Sequence, residues 1–311
     1  MDNDLSKARK RIKECKETQN PKLDLMACGI TDLNELPELF ECKHLKTLGL
    51  SLNQISDISS LGKLTELQVL TLDFNQISDI SCLEKLTGLQ SLHLECNKIS
   101  NIGILEKLSD LQVLNLNATK ISDIRFLEKL LGIQDLRLSS NQISDYSSLE
   151  NLTKLQDLEL SNNQISDICF LRKLARLQYL DMSNNQISNI SSLAKLKGLE
   201  MLYLGSNQIS DISVLANLKE LNHLDISNNP ISDYSPLAYL TKLEYLDLTN
   251  NWIDYGVLEK MKGLQDLCLS EKDILEFCNS FMEEGETLDI DESIDFFKEM
   301  IGLESLNIIV E

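Results

Sequence analysis

The hexapeptide NQISDI fills residues 53–58 and returns at 75–80, 163–168 and 207–212. Aligning every copy places Asn53, Asn75, Asn97, Asn141, Asn163, Asn185, Asn207, Asn229 and Asn251 in one register, with Thr119 in the remaining slot, so the period is 22 residues. A fixed period of this length marks a solenoid, in which each unit buries its apolar face only against its neighbours.

One copy, LQVLTLDFNQI at 67–77, shows what the unit builds. Leu70 and Leu72 alternate with Val69, Thr71 and Asp73, the period of two that a strand requires, so the leucines are predicted inside and the others outside. After Asn75 the apolar spacing becomes three, through Ile77, Ile80, Leu83, Leu86 and Leu89, which matches 3₁₀ turns better than an α-helix. The asparagine is expected to turn inward and bond backbone groups freed by the bend. Asp57, Asp79, Asp123, Asp145, Asp167, Asp211 and Asp233 form a second ladder, read as turn chemistry.

Leu67, Leu70, Leu72, Asn75 and Ile77 give the pattern L-x-x-L-x-L-x-x-N-x-I, which resembles a leucine-rich repeat. The resemblance implies an α/β solenoid with a parallel, concave sheet and a mostly 3₁₀ convex side. Ten clear repeats run from Leu45 to Gly263, preceded by a degenerate one in which Cys28 stands for asparagine. Upstream, Leu5, Ala8, Ile12 and Cys15 recur at helical spacing on a charged segment, so residues 1–22 are expected to cap the core, with 23–263 as the solenoid. Beyond Ile253 the phase slips. Residues 264–311 are expected to be degenerate repeats and a cap, with strands returning at Leu288 and Ile290 and at Leu306 and Ile308, and helices in DILEFCNSFMEE and ESIDFFKEM.

A formal charge of −20 argues against nucleic acid or an anionic membrane surface as partner. No run of eighteen apolar residues occurs, and the charged N-terminus has no signal-like apolar core, so a cytoplasmic location is expected. The eight cysteines show no C-x-x-C pair, as reduced thiols would, and no metal or cofactor is expected. An enzyme would have to use His44, His93 or His223. Of these only His93 has polar neighbours, Asp73, Ser91 and Glu95, and an open sheet offers no evident oxyanion donors, so no catalytic residue is assigned.

Stretches such as NQISDISSLGKLTELQVLTL, from residue 53, and NNPISDYSPLAYLTKLEYLDLTNN, from residue 228, resemble the repeats of bacterial internalins. They are similar in length class to those of the leucine-rich regulatory subunit of protein phosphatase one. In both families the concave sheet holds another protein. The resemblance therefore implies a non-enzymatic protein-binding scaffold, either a phosphatase regulatory subunit or an internalin-like bacterial protein that binds a host protein; an unrecognised hydrolase is the reading of a different class.

The outward strand positions locate the expected contact. Tyr179, Met201, His223 and Tyr245 form one row and Asp181, Tyr203, Asp225 and Asp247 the next, while the N-terminal half shows Val69, Val113, Leu52 and Phe74. Tyrosine and methionine are enriched at interface cores, so the eight residues of the two rows are the predicted partner-binding site. Their aspartates point to a protein with a basic contact surface, bound by a monomeric chain.

Overall fold

From Thr47–Gly49 to Tyr245–Asp247 each repeat carries a three-residue strand whose central leucine is buried and whose flanking residues, Asn115 excepted, are partly exposed. The computed structural model describes residues 5–251, 255–279, 289–301 and 307–310. The chain forms two compact units that divide after Asn163.

In the first unit, helix α1 (Ser6–Thr18) precedes strands β1 (Lys22–Asp24), β2 (Thr47–Gly49), β3 (Val69–Thr71), β4 (Ser91–His93), β5 (Val113–Asn115), β6 (Asp135–Arg137) and β7 (Asp157–Glu159). They pair in parallel, in chain order and without slippage; Leu48, Leu70 and Leu92 face one another across β2, β3 and β4. Leu70 and Leu72 are buried while Val69, Thr71 and Asp73 remain partly exposed, as the alternation requires. Between strands the chain returns through 3₁₀ segments such as Ser59–Lys63 and Ser81–Lys85. Helix α1 buries Ala8, Ile12 and Cys15, and Arg11 donates to the Asp24 carbonyl at 2.8 Å, tying the helix to β1.

The asparagines do what their position demands. The Asn75 side-chain amide donates to the carbonyls of Leu72 in its own repeat (2.9 Å) and Leu50 in the preceding one (3.0 Å), while its Oδ1 accepts from Ile55 N–H at 2.9 Å. Three backbone groups are thereby satisfied by one buried side chain. Thr119 lacks the second donor: its hydroxyl donates to Leu116 O at 2.7 Å. The aspartate ladder is confirmed as turn chemistry, with Asp57 and Asp79 each accepting from the N–H two residues on, at 2.8 Å.

The second unit repeats the scheme with β8 (Tyr179–Asp181), β9 (Met201–Tyr203), β10 (His223–Asp225), β11 (Tyr245–Asp247), β12 (Asp266–Leu269) and β13 (Asn307–Val310). At Pro230, which has no N–H, the bend closes differently: Ile231 N–H turns to Asn229 O at 2.9 Å, and Asn251 Oδ1 is left buried without a partner.

The C-terminal expectation needs one correction. Ile290 does not open a strand. It opens helix α3 (Ile290–Ile301), which follows helix α2 (Glu271–Asn279), and β13 pairs directly with β12, Leu267 facing Ile308. Asp289 and Glu292 form a reciprocal cap, Glu292 N–H donating to Asp289 Oδ1 at 2.9 Å, and this start signal outweighs the short apolar alternation. Phe277 and Phe297 meet edge-on at 5.0 Å, joining the two helices. Leu288 and Leu306 lie outside the described residues.

Candidate functional site

All eight predicted contact residues lie on one strand face of the second unit. Registry places Tyr179, Met201, His223 and Tyr245 side by side across β8 to β11, and Asp181, Tyr203, Asp225 and Asp247 beside them. Each is only partly buried, because its neighbours along the strand point into the core.

The structure sorts the eight into pairs that register alone does not show. The rings of Tyr179 and Tyr203, diagonal across β8 and β9, lie 5.6 Å apart at 44°. His223 and Tyr245, directly opposed, stack at 5.6 Å and 17°. Such geometries contribute about 0.5 to 1.5 kcal/mol beyond area burial and hold the rings in place. Asn222 Oδ1 sits 2.8 Å from His223 Nδ1, and the Tyr245 hydroxyl lies 3.1 Å from Cys268 Sγ on β12. Burial first, then the bond to Cys268, pushes the Tyr245 phenol well above its usual value. Burial, then Asp181 and Asp225, raises that of Tyr203, so both stay neutral at physiological pH.

The three aspartates are turn residues as well as surface charges. Asp181, Asp225 and Asp247 accept from the N–H groups of Ser183, Ser227 and Thr249, at 2.9, 2.8 and 2.8 Å, closing the bend after each strand. Burial raises the Asp225 carboxyl, the bonds from Ser227 oppose that shift, and Asp247 and Asp181 add to it. No lysine or arginine among the described residues pairs with these carboxylates. Sequence reading missed Gly205, whose missing side chain leaves room for Asp225; the equivalent positions carry Ser183, Ser227 and Thr249.

Several outward polar groups of the first unit are bonded to one another. Arg137 holds Asp135 with two bonds (3.1 and 3.2 Å) and Glu159 at 3.4 Å, while Asn117 donates to Glu159 and Asn115 to Glu95. His93 Nε2 lies 3.0 Å from Ser91 Oγ, but the Asp73 carboxylate is occupied elsewhere, by Glu95 N–H and the Ser51 hydroxyl. The dyad therefore has no carboxylate to orient its imidazole. Among the described residues no cluster of histidine, cysteine, aspartate or glutamate could hold a metal ion, and no helix is long and apolar enough to cross a membrane.

Repeating strand, asparagine bend and 3₁₀ return, with aromatic and acidic rows outside, define a solenoid whose strand face is an open, non-enclosed surface. A two-copy leucine-rich repeat model matches residues 43–85, 87–129, 132–173, 175–217 and 219–279, and the chain belongs to the leucine-rich repeat family, with an internalin-like fold. Internalin InlF from Listeria monocytogenes superposes with a TM-score of 0.82 at 30% identity, covering 100% of this chain and 94% of that one. The functional domain of InlJ from the same organism, which includes a cysteine ladder, gives 0.64 at 24% over 75% and 50% of the two chains. PEPR1, in its complex with AtPEP1, gives 0.59 at 25% over 75% and 40%. No curated protein sequence matches the chain.

Proposed function

We propose that this chain is a non-catalytic scaffold that binds another protein through the strand face of its second unit. The observation that carries the reading is the pairing of Tyr179 with Tyr203 and of His223 with Tyr245 beside three carboxylates that have no cation partner. Rigid aromatic anchors flanked by charge are the composition of an interface centre and its rim. The partner is a protein with a basic contact surface, because Asp181, Asp225 and Asp247 leave negative charge to be met. PEPR1 with AtPEP1 supports the reading as a related fold seen holding a partner.

Of the finer roles, an internalin-like binding protein is favoured over a phosphatase regulatory subunit, since the likeness to InlF runs the length of both chains. The same reading makes the chain a monomer and places it in the cytoplasm, a compartment in which its eight free thiols stay reduced. Affinity capture from cell extracts, followed by surface plasmon resonance on the purified partner, tests the site. The triple substitution Tyr179→Ala, Tyr203→Ala and Tyr245→Ala should abolish the specific signal, and unchanged affinity would refute the assignment. Hydrolase and phosphatase assays on the purified chain should show no turnover that His93→Ala removes.

A further inference from the structure

In the first unit the third residue after each strand stands in the left-handed region: Ala27 (φ 53°), Leu52 (φ 56°), Phe74 (φ 55°), Cys96 (φ 52°), Ala118 (φ 54°), Ser140 (φ 57°) and Asn162 (φ 55°). Among residues with a Cβ, asparagine tolerates this conformation best, because its short polar side chain bonds locally. Asn162 uses it, and in the second unit so do Asn184, Asn228 and Asn250, at φ 51° to 56°, with Ser206 in the remaining place. Leucine and phenylalanine at this bend oppose the backbone preference, and the core does not recover the loss, for Leu52 and Phe74 are 45% and 46% exposed. Met26, beside Ala27, is 44% exposed, so three of the five exposed large apolar side chains among the described residues gather in the bends that follow β1, β2 and β3. Adjacent strands put Leu52 and Phe74 about 4.8 Å apart along the sheet.

Acidic groups border this ridge. Asp73 precedes Phe74 and Glu95 precedes Cys96, and both carboxylates act on the Cys96 thiol, which burial first and then Glu95 and Asp73 push above its usual value. Among the described residues no lysine or arginine pairs with Asp73 or Glu95. We propose that Leu52 and Phe74, with Met26 at their flank, form a second docking surface for a basic amphipathic segment of a partner protein. Its apolar side chains cover the ridge, and its lysines or arginines meet Asp73 and Glu95. The surface is separate from the tyrosine rows and does not depend on their role.

The test uses the full chain and a short fluorescent peptide of leucine and lysine, read by anisotropy. The wild type should bind it, and the double substitution Leu52→Asn and Phe74→Asn should weaken binding by about tenfold or more, an interface-core loss. The same variant should melt no lower than the wild type, since asparagine suits the bend. Leu131→Ser, at an exposed leucine away from the ridge, should bind normally. Peptides with glutamate for lysine, or serine for leucine, should bind about tenfold more weakly. Failure of the wild type to bind, equal binding by the double variant, or equal binding of the glutamate peptide would each overturn the proposal. So would a wild-type dimer that the double variant dissolves in sedimentation velocity, since the occupant would then be a second copy of this chain.

Discussion

Gly205 is built around Asp225: a Cβ at residue 205 would stand 2.6 Å from Asp225 Oδ2 and 2.7 Å from Ser227 Oγ. The carboxylate that closes its own bend therefore leans into space the adjacent strand has vacated. Gly205→Ala should force that carboxylate aside and cost about 1 kcal/mol, the low end for overpacking because the crowded atoms are side-chain tips. Chemical denaturation of the purified variant checks it; a midpoint equal to the wild type's would mean that Asp225 moves freely and that the glycine has no spatial role.

Asn207 donates to Met182 O (3.0 Å) and Leu204 O (2.9 Å) and accepts from Ile187 N–H (3.0 Å). Asn207→Ala leaves these buried groups unpaired, and the expected loss is about 3 kcal/mol, since each unsatisfied group costs about 1 to 3 kcal/mol. Urea melts measure this directly.

Thr119 offers the opposite substitution. Its single hydroxyl proton goes to Leu116 O at 2.7 Å, with Asn141 Oδ1 3.2 Å from the same oxygen, so it cannot supply the two amide protons used at neighbouring rungs. Thr119→Asn should raise stability by about 1 kcal/mol, the net value of one added hydrogen bond. A lowered midpoint would show that the threonine is better fitted to its rung than the amide.

At the proposed interface, Tyr203→Ala should weaken the captured partner about thirtyfold, the equivalent of a 2 kcal/mol hot spot, and shift the melt by only about 0.5 kcal/mol. Reversing the charge of Asp181 should slow association, and added salt should slow association of the wild type as well. Loss of affinity accompanied by an equal loss of fold would return Tyr203 to a structural role.

Acid should act in two windows. Backbone N–H donors hold the Asp79, Asp145, Asp211 and Asp233 carboxyls below their usual value, and the side chain of Arg125 brings Asp123 to about 2. A depressed folded value contributes stability above the unfolded one, near 3.9, that is lost as pH falls through the folded values. Burial raises Asp157 and Asp225, so protonating them on the way down from neutrality relieves a penalty and adds stability first. Stability should therefore hold or rise above about pH 4 and fall below it. Carboxyl-carbon NMR titration resolves the two groups, and a shared midpoint would contradict the assignment.

Much of this was legible in the repeat itself. A 22-residue period, L-x-L alternation and one asparagine per unit specify strand, bend and inward amide, because each follows from local geometry and from the need to satisfy backbone groups wherever the chain turns. For the same reason, register put all eight candidate contact residues on one face. It could not show that Tyr179 meets Tyr203 diagonally while His223 stacks on Tyr245 directly, since side-chain rotamers decide that. Nor could it show that Leu52 and Phe74 occupy a left-handed bend, or that Ile290 belongs to a helix that β13 bypasses to reach β12. The sequence by itself determined the repeat and its buried ladder, whose interactions recur at fixed spacing; tertiary structure alone decided how the outward side chains pair, which bends carry strain and where the last strand docks, because those depend on contacts between residues whose spacing has no period.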